Sequence, residues 1–302
     1  MAATFALSIG YLLLAGVLAG CVWAVDSKTH QRLKPMAALT GAATLLFMFT
    51  QHLQVLAGIF ILLLILMSTA LPFIFNTFTH QKGFLFTALK FALIIFMVLT
   101  CFALAAHLIP GINNTLLHEN IIISESAGTI NIKANIDKAL AGILLLFLIM
   151  ALKLKPQDPY SKPARQLSLI PLYISLVLIV AYLSGLHLDI KMPPQTLSFV
   201  VTNLFFSVIA EEALFRGILQ NSLSQFLKDK TRFSAHLGLI ITSLMFGLAH
   251  IGGGWHFVIL ATFAGLLYGW VYQKSGQLSL AILTHWGVNI GHFLLLVYPV
   301  PK

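Results

Sequence analysis

Apolar residues run through this chain in stretches of about 15 to 28, separated by short polar connections, and roughly 20 apolar residues in a helix cross a bilayer. The stretches fall at 5–25, 36–50, 55–75, 84–109, 138–153, 167–185, 196–223, 234–250, 256–273 and 278–297. They predict about ten membrane-spanning helices, the second and fifth of them short. Pro72 lies inside the third stretch, where neighbouring helices can satisfy the carbonyl that it frees. The expected fold class is all-α, a polytopic transmembrane helical bundle.

Two longer polar segments interrupt this pattern. In 110–137, Ile130, Ile132 and Ala134 alternate with polar neighbours, and Ala127-Gly128 can make a turn. That pattern fits a small β-hairpin and an irregular loop about equally. The segment 153–166, with Pro156, Pro159 and Pro163, reads as a linker on the cytoplasmic side. It divides the chain into an N-terminal transmembrane region, 1–152, and a C-terminal one, 167–302.

Composition strengthens the membrane reading. Charged residues make up 9% of the chain and hydrophobic ones 59%, where a soluble domain carries about a quarter charged residues. The net charge of +9 raises the question of nucleic acid. Its distribution answers it, because the positive residues gather in alternate connections. These are Lys28, Arg32 and Lys34; Lys82; Lys153, Lys155, Lys162 and Arg165; Lys228, Lys230 and Arg232; and Lys274. Connections 51–54 and 252–255 carry no Lys or Arg. This is the signature of cytoplasmic loops, so the expected partner is the lipid bilayer and not nucleic acid. Both termini are then expected outside the cytoplasm, and a bacterial cytoplasmic membrane is the expected location. No basic region precedes the first apolar run, which resembles a first span more than a cleaved signal peptide. Cys21 and Cys101 fall in different spans and read as small buried hydrophobes.

Candidate chemistry is confined to the C-terminal region. The chain has nine acidic residues, and two of them, Glu211 and Glu212, are adjacent within an apolar run that also holds Arg216. Ionisable groups inside a span are costly and face an interior cavity, where they pair or work. Residues four apart share a helix face, so Arg216 can neutralise Glu212. Glu211 points about 100° away and is expected to have no local partner. His250 ends the next span. Counted at 1.5 Å per residue from the connection around 228–232, Glu211 and His250 both lie roughly 25 Å deep. His285 and Asn289, four apart on the last span, share a face at roughly 16 and 22 Å from Lys274. Ala261, Gly265 and Gly269 form a stripe of small residues suited to close helix packing and nothing more. Among the other histidines, His256 and His292 sit nearest these clusters. The rest, His107 included, fall mostly at span ends or in loops.

A carboxylate, two imidazoles and an amide suit hydrolysis. Glu211 can take a proton from water while His250 positions it, and His285 and Asn289 can donate hydrogen bonds to an oxyanion. No serine or cysteine with a neighbouring base is evident in the sequence, which favours activated water over a covalent intermediate. Two other functions use the same residues: a proton-coupled transporter, or a non-catalytic protein that binds a membrane peptide as a scaffold or immunity factor.

Glu-Glu-x-x-x-Arg, Phe-x-x-x-His and His-x-x-x-Asn, in this order on successive helices, resemble the CPBP family. These are the CAAX-type prenyl endopeptidases and bacteriocin-processing or immunity-related membrane proteases, also called Abi. The resemblance covers about 196–297, with supporting texture in Phe215-Arg216-Gly217-Ile218-Leu219-Gln220 and in the run from Ser243 to His250. It implies an intramembrane endopeptidase acting on a membrane-associated protein or peptide. Glu211 would be the base, assisted by His250. His285 and Asn289 would form the oxyanion site, and Glu212 and Arg216 would support them. Glu211, His250 and His285 can also be written as a zinc site with one open position. The lack of a His-Glu-x-x-His core favours a reaction without metal.

Overall fold

The computed structural model describes residues 2–29, 32–80, 83–156 and 162–299. Lys82, Pro159 and the part of the expected linker at 157–161 lie outside the described residues. Among the described residues the helices fall into ten stretches that coincide with the ten apolar runs. They are α1 (Ala2–Asp26), α2 (Leu33–Phe49), α3 (Val55–His80), α4 (Phe84–Ala105), α5 (Ile136–Leu152) and α6 (Pro163–Leu183). Then follow α7 (Thr196–Leu227), α8 (Ser234–Leu248), α9 (Gly254–Ser275) and α10 (Leu278–Leu295). Seven of these, α1, α3, α4, α6, α7, α9 and α10, are long and apolar enough to cross a membrane, and α2 and α8 are shorter apolar helices. The protein is a polytopic helical membrane protein. α6 opens on Pro163, whose fixed φ and missing N–H suit a first helical turn.

The chain folds as two compact units. One unit contains 1–115, 135–154 and 205–214; the other contains 116–134, 155–204 and 215–302.

In the first unit α5 is the central helix. Every residue from Ala139 to Met150 is buried, as expected of a helix apolar on all sides. α1, α3 and α4 pack around it, together with Ile209–Glu212 of α7. At Gly142 the helices approach closely, and a Cβ would stand 3.3 Å from both Ala210 Cα and Leu18 Cδ2. A side chain there would push α5 off α7. Asp137 is buried in the first turn of α5, where the helix dipole favours an anion. It accepts a hydrogen bond from Asn114 Nδ2 (2.9 Å) and lies 2.6 Å from His107 Nδ1, while Asn114 Oδ1 accepts from the Ile136 N–H (2.7 Å). Cys21 and Cys101 are buried free thiols, in keeping with their apolar setting.

In the second unit the hairpin is real. β1 (Thr115–Ile121) and β2 (Ile130–Ala134) pair as a two-stranded sheet. Ile132 and Ala134 are buried while Asn131 and Lys133 are exposed, so the alternation of the sequence is the alternation of faces. Ile123 and Ile132 pack against Phe199 and Phe293, whose rings stack 4.0 Å apart. This cluster fastens the hairpin to the start of α7 and the end of α10. Helices α8 and α9 make an extensive contact through small residues. A Cβ on Gly247 would overlap Thr262 Oγ1 and stand 2.7 Å from the Val258 carbonyl oxygen; one on Gly269 would overlap Leu239. At Gly265 it would meet Phe246 at 3.2 Å and Arg216 Nη2 at 3.5 Å. The stripe Ala261, Gly265, Gly269 is thus a packing device, as its spacing predicts.

α7 is where local structure departs from a plain α-helix. Leu204–Val208 and Ala213–Gln220 widen to π-type hydrogen bonding, and Ile209–Glu212 between them keeps the α form. Such widened turns concentrate at functional positions. The acidic doublet therefore sits on the one α-helical turn between two widened ones.

Candidate active site

The doublet divides by exposure. Glu212 is completely buried, whereas the Glu211 side chain is 25% exposed. This is the split that the 100° step between adjacent helical residues predicts. Arg216 is also completely buried. Its guanidinium carbon lies 5.1 Å from the ring centre of Phe246 and 5.9 Å from those of Phe215 and Tyr268, within cation–π range.

The expectation that Glu211 lacks a local partner is overturned. Ser207, one turn earlier, donates its hydroxyl to Glu211 Oε1 at 3.0 Å. Lys138 Nζ lies 3.9 Å from the same oxygen and 3.5 Å from Ser207 Oγ. The reason is the close approach at Gly142: Lys138 is four residues earlier on the same face of α5, so the contact that seats Ala210 also brings the ammonium to Glu211. Ser207 was detectable in the sequence by its spacing of four from Glu211. Lys138 was not, because nothing local says that α5 packs on α7. The structure also places a serine beside a lysine and a carboxylate, an arrangement that the sequence does not reveal.

His250, His285 and Asn289 come together in the second unit, where they line one cavity of about 80 Å³. Helices α6, α8, α9 and α10 supply its walls, with Phe246, Tyr268 and Ala261 among the apolar lining. A volume of this size holds several waters, at about 10–15 Å³ of accessible space each. His250 Nδ1 lies 2.8 Å from the Phe246 carbonyl oxygen. A carbonyl only accepts, so Nδ1 carries the proton and the neutral ring keeps its acceptor at Nε2. Phe246 and Phe257 bracket the ring at centroid distances of 4.6 and 5.4 Å. His285 is stacked on Tyr268 (4.5 Å, 12° between planes) and meets Phe246 edge-on. Both contacts restrict its rotation.

Asn289 Nδ2 donates to Asn203 Oδ1 at 3.1 Å. Trp286 Nε1, three residues earlier, donates to the Val200 carbonyl at 2.9 Å. These two bonds set the rotation of α10 against the first part of α7. Asn203, which the motifs do not contain, is the hydrogen-bond partner of Asn289; its polar side chain within an apolar run was the available signal. Asn203→Ala should lower the rate of the reaction proposed below about two- to tenfold, the worth of one neutral hydrogen bond. Initial rates of the variant and the parent, measured at equal amounts of folded protein, check this. Of the other histidines, His292 lines the cavity and bonds through Nε2 to the Val297 carbonyl (3.1 Å), whereas exposed His256 pairs with the Ser184 hydroxyl (3.0 Å).

Among the described residues, no three His, Cys, Asp or Glu side chains are gathered closely enough to share a metal ion.

Long apolar helices, with a largely apolar cavity among them into which imidazole and amide groups reach, define a polytopic membrane protein with a candidate site. Residues 193–291, from the start of α7 to near the end of α10, match the family described as type II CAAX prenyl endopeptidase, Rce1-like. That stretch contains all three motifs, and the family that it matches is the one that they resemble. No curated protein and no solved structure matches the chain.

Proposed function

We propose that this protein is an intramembrane endopeptidase that hydrolyses a peptide bond of a membrane-associated protein or peptide precursor with activated water. The observation that carries this reading is the convergence of His250, His285 and Asn289 on one cavity within the family-matched stretch. In the proposed reaction Glu211 removes a proton from water, a step worth about 10²- to 10⁴-fold. His250 accepts the water's other hydrogen at Nε2 and fixes its direction. The hydroxide adds to the carbonyl carbon, and His285 and Asn289 donate hydrogen bonds to the oxyanion. One such donor is worth about 10²- to 10³-fold. The C–N bond then breaks as protonated Glu211 returns its proton to the leaving nitrogen. No step requires a metal ion. The accessible position of Glu211 in the doublet supports its role as base, and burial of Glu212 and Arg216 supports theirs as structural residues.

The matched family is described as a CAAX prenyl endopeptidase, which makes a prenylated CAAX protein one candidate substrate. In a bacterial membrane a peptide precursor or a membrane-anchored sorting segment is the corresponding substrate. With the basic connections in the cytoplasm, the hairpin and both termini face outward.

The test is a comparison of peptides released from membranes that contain the wild-type chain or Glu211→Gln, read by mass spectrometry. Peptides that depend on Glu211 are expected. If the variant releases the same set, the protease reading fails. Retention of the biological phenotype in that variant would point to a peptide-binding scaffold, and proton-coupled uptake without cleavage to a transporter. Metal analysis of the purified chain, with rates before and after chelation, decides the cofactor; unchanged rates are expected.

A further inference from the structure

The family-matched stretch begins at residue 193, yet an ion pair to Glu211 comes from far outside it. We propose that Lys138, on α5 of the N-terminal region, is a positioning residue for the Glu211 carboxylate. This rests on the protease reading above and adds to it a contribution from the part of the chain that the motifs do not cover.

Three observations meet at this point. Lys138 Nζ stands 3.9 Å from Glu211 Oε1 and 3.5 Å from Ser207 Oγ, while Ser207 donates to that same carboxylate oxygen at 3.0 Å. Lys138 Nζ and the Ser207 hydroxyl therefore converge on a single carboxylate oxygen, which restricts the side-chain rotamer. Lys138 and Glu211 are 23% and 25% exposed, so neither is sealed in the core and neither is freely solvated. In that intermediate setting a counter-charge is stronger than at a surface. Finally, Lys138 is held in place. Its neighbour Asp137 is taken up by His107 and Asn114, its own N–H donates to Asp137 Oδ1 at 2.8 Å, and Gly142 keeps α5 against Ala210. The backbone from which Lys138 projects is anchored at both ends of one turn.

Ser207 completes the arrangement without serving as a nucleophile. Its hydroxyl proton is directed at Glu211 Oε1, and Lys138 Nζ donates to Ser207 Oγ, so the amine is not placed to accept that proton. Lys138 and Ser207 together aim the base.

The experiment uses full-length chain purified into liposomes, with total membrane protein as the substrate mixture and Glu211-dependent peptide release as the rate. Lys138→Gln keeps a hydrogen-bond donor and removes the charge. It should slow release about two- to fivefold, the worth of one part-exposed ion pair, with an unchanged thermal unfolding midpoint. Lys138→Arg should restore most of the rate. Full activity of Lys138→Gln overturns the assignment and leaves the protease reading standing. Equal loss in the Gln and Arg variants with a lowered unfolding midpoint also overturns it, because it marks a purely structural lysine. If the wild-type chain shows no Glu211-dependent release at all, the protease reading itself falls and this assignment falls with it.

Discussion

Glu211→Gln should abolish peptide hydrolysis, with a loss of about 10³-fold or more, while the protein still folds and inserts. The size follows from the role: a carboxylate that takes and returns the proton supplies about 10²- to 10⁴-fold, and an amide can do neither. The specificity of the loss follows from the environment. Gln keeps an oxygen to accept the Ser207 hydroxyl, and the pair with Lys138 is partly solvated on both sides. A part-exposed ion pair contributes about 1 kcal/mol or less to stability. Glu212→Gln is the informative contrast. That side chain has no exposure at all, so its replacement should show first in the amount of folded protein and only secondarily in rate. Release rates per folded molecule, beside thermal unfolding in detergent, separate the two. Equal behaviour of the variants would contradict the division of the doublet into a base and a support.

Gly247→Ala should give the second largest effect, this time on stability. The added Cβ would overlap Thr262 Oγ1 and press on the Val258 carbonyl oxygen at 2.7 Å. Thr262 can rotate, but a backbone carbonyl inside a helix cannot, so α8 and α9 must part. Overpacking of this kind costs about 1–3 kcal/mol. His250 lies three residues further along the chain, and its ring bonds to the carbonyl of Phe246, the residue before Gly247. The rate should therefore fall together with the unfolding midpoint. Gly16→Ala is the matched control. No atom lies within 4 Å of its added Cβ, and the gain in helix propensity should leave stability unchanged or raise it by up to about 1 kcal/mol.

These expectations rest on features that differ in how openly the sequence displays them. The ten helical stretches were legible because each apolar run is contiguous and the connections are polar, which is a one-dimensional signal. The hairpin was half legible: Ile130, Ile132 and Ala134 showed the alternation, but the partner strand around Leu116 and Leu117 has no matching pattern, and those residues are exposed. The widened turns of α7 left no trace, because hydrogen-bond register within an apolar helix depends on neighbours. Spacing of four brought out His285 with Asn289, which line one cavity. The same rule applied backwards would have brought out Ser207 for Glu211. Lys138 and Asn203 are different. Each reaches its partner across sequence separations that only packing closes, at Gly142 in one case and beside Trp286 in the other.

The way α7 is shared between the two units bears on how the protein can be made. The first unit takes 205–214 into its packing, and Ala210 within that segment closes on Gly142 of the central helix. During synthesis, a nascent chain that has reached only 154 has all of α1 to α5 in hand and still lacks the piece that completes them. The second unit is indebted in the other direction, since it waits for α10 before the hairpin at 116–134 finds Phe293. Neither half is therefore a unit of assembly. A chain cut at the 153–166 connection should give two fragments that accumulate poorly when expressed singly and recover when expressed together.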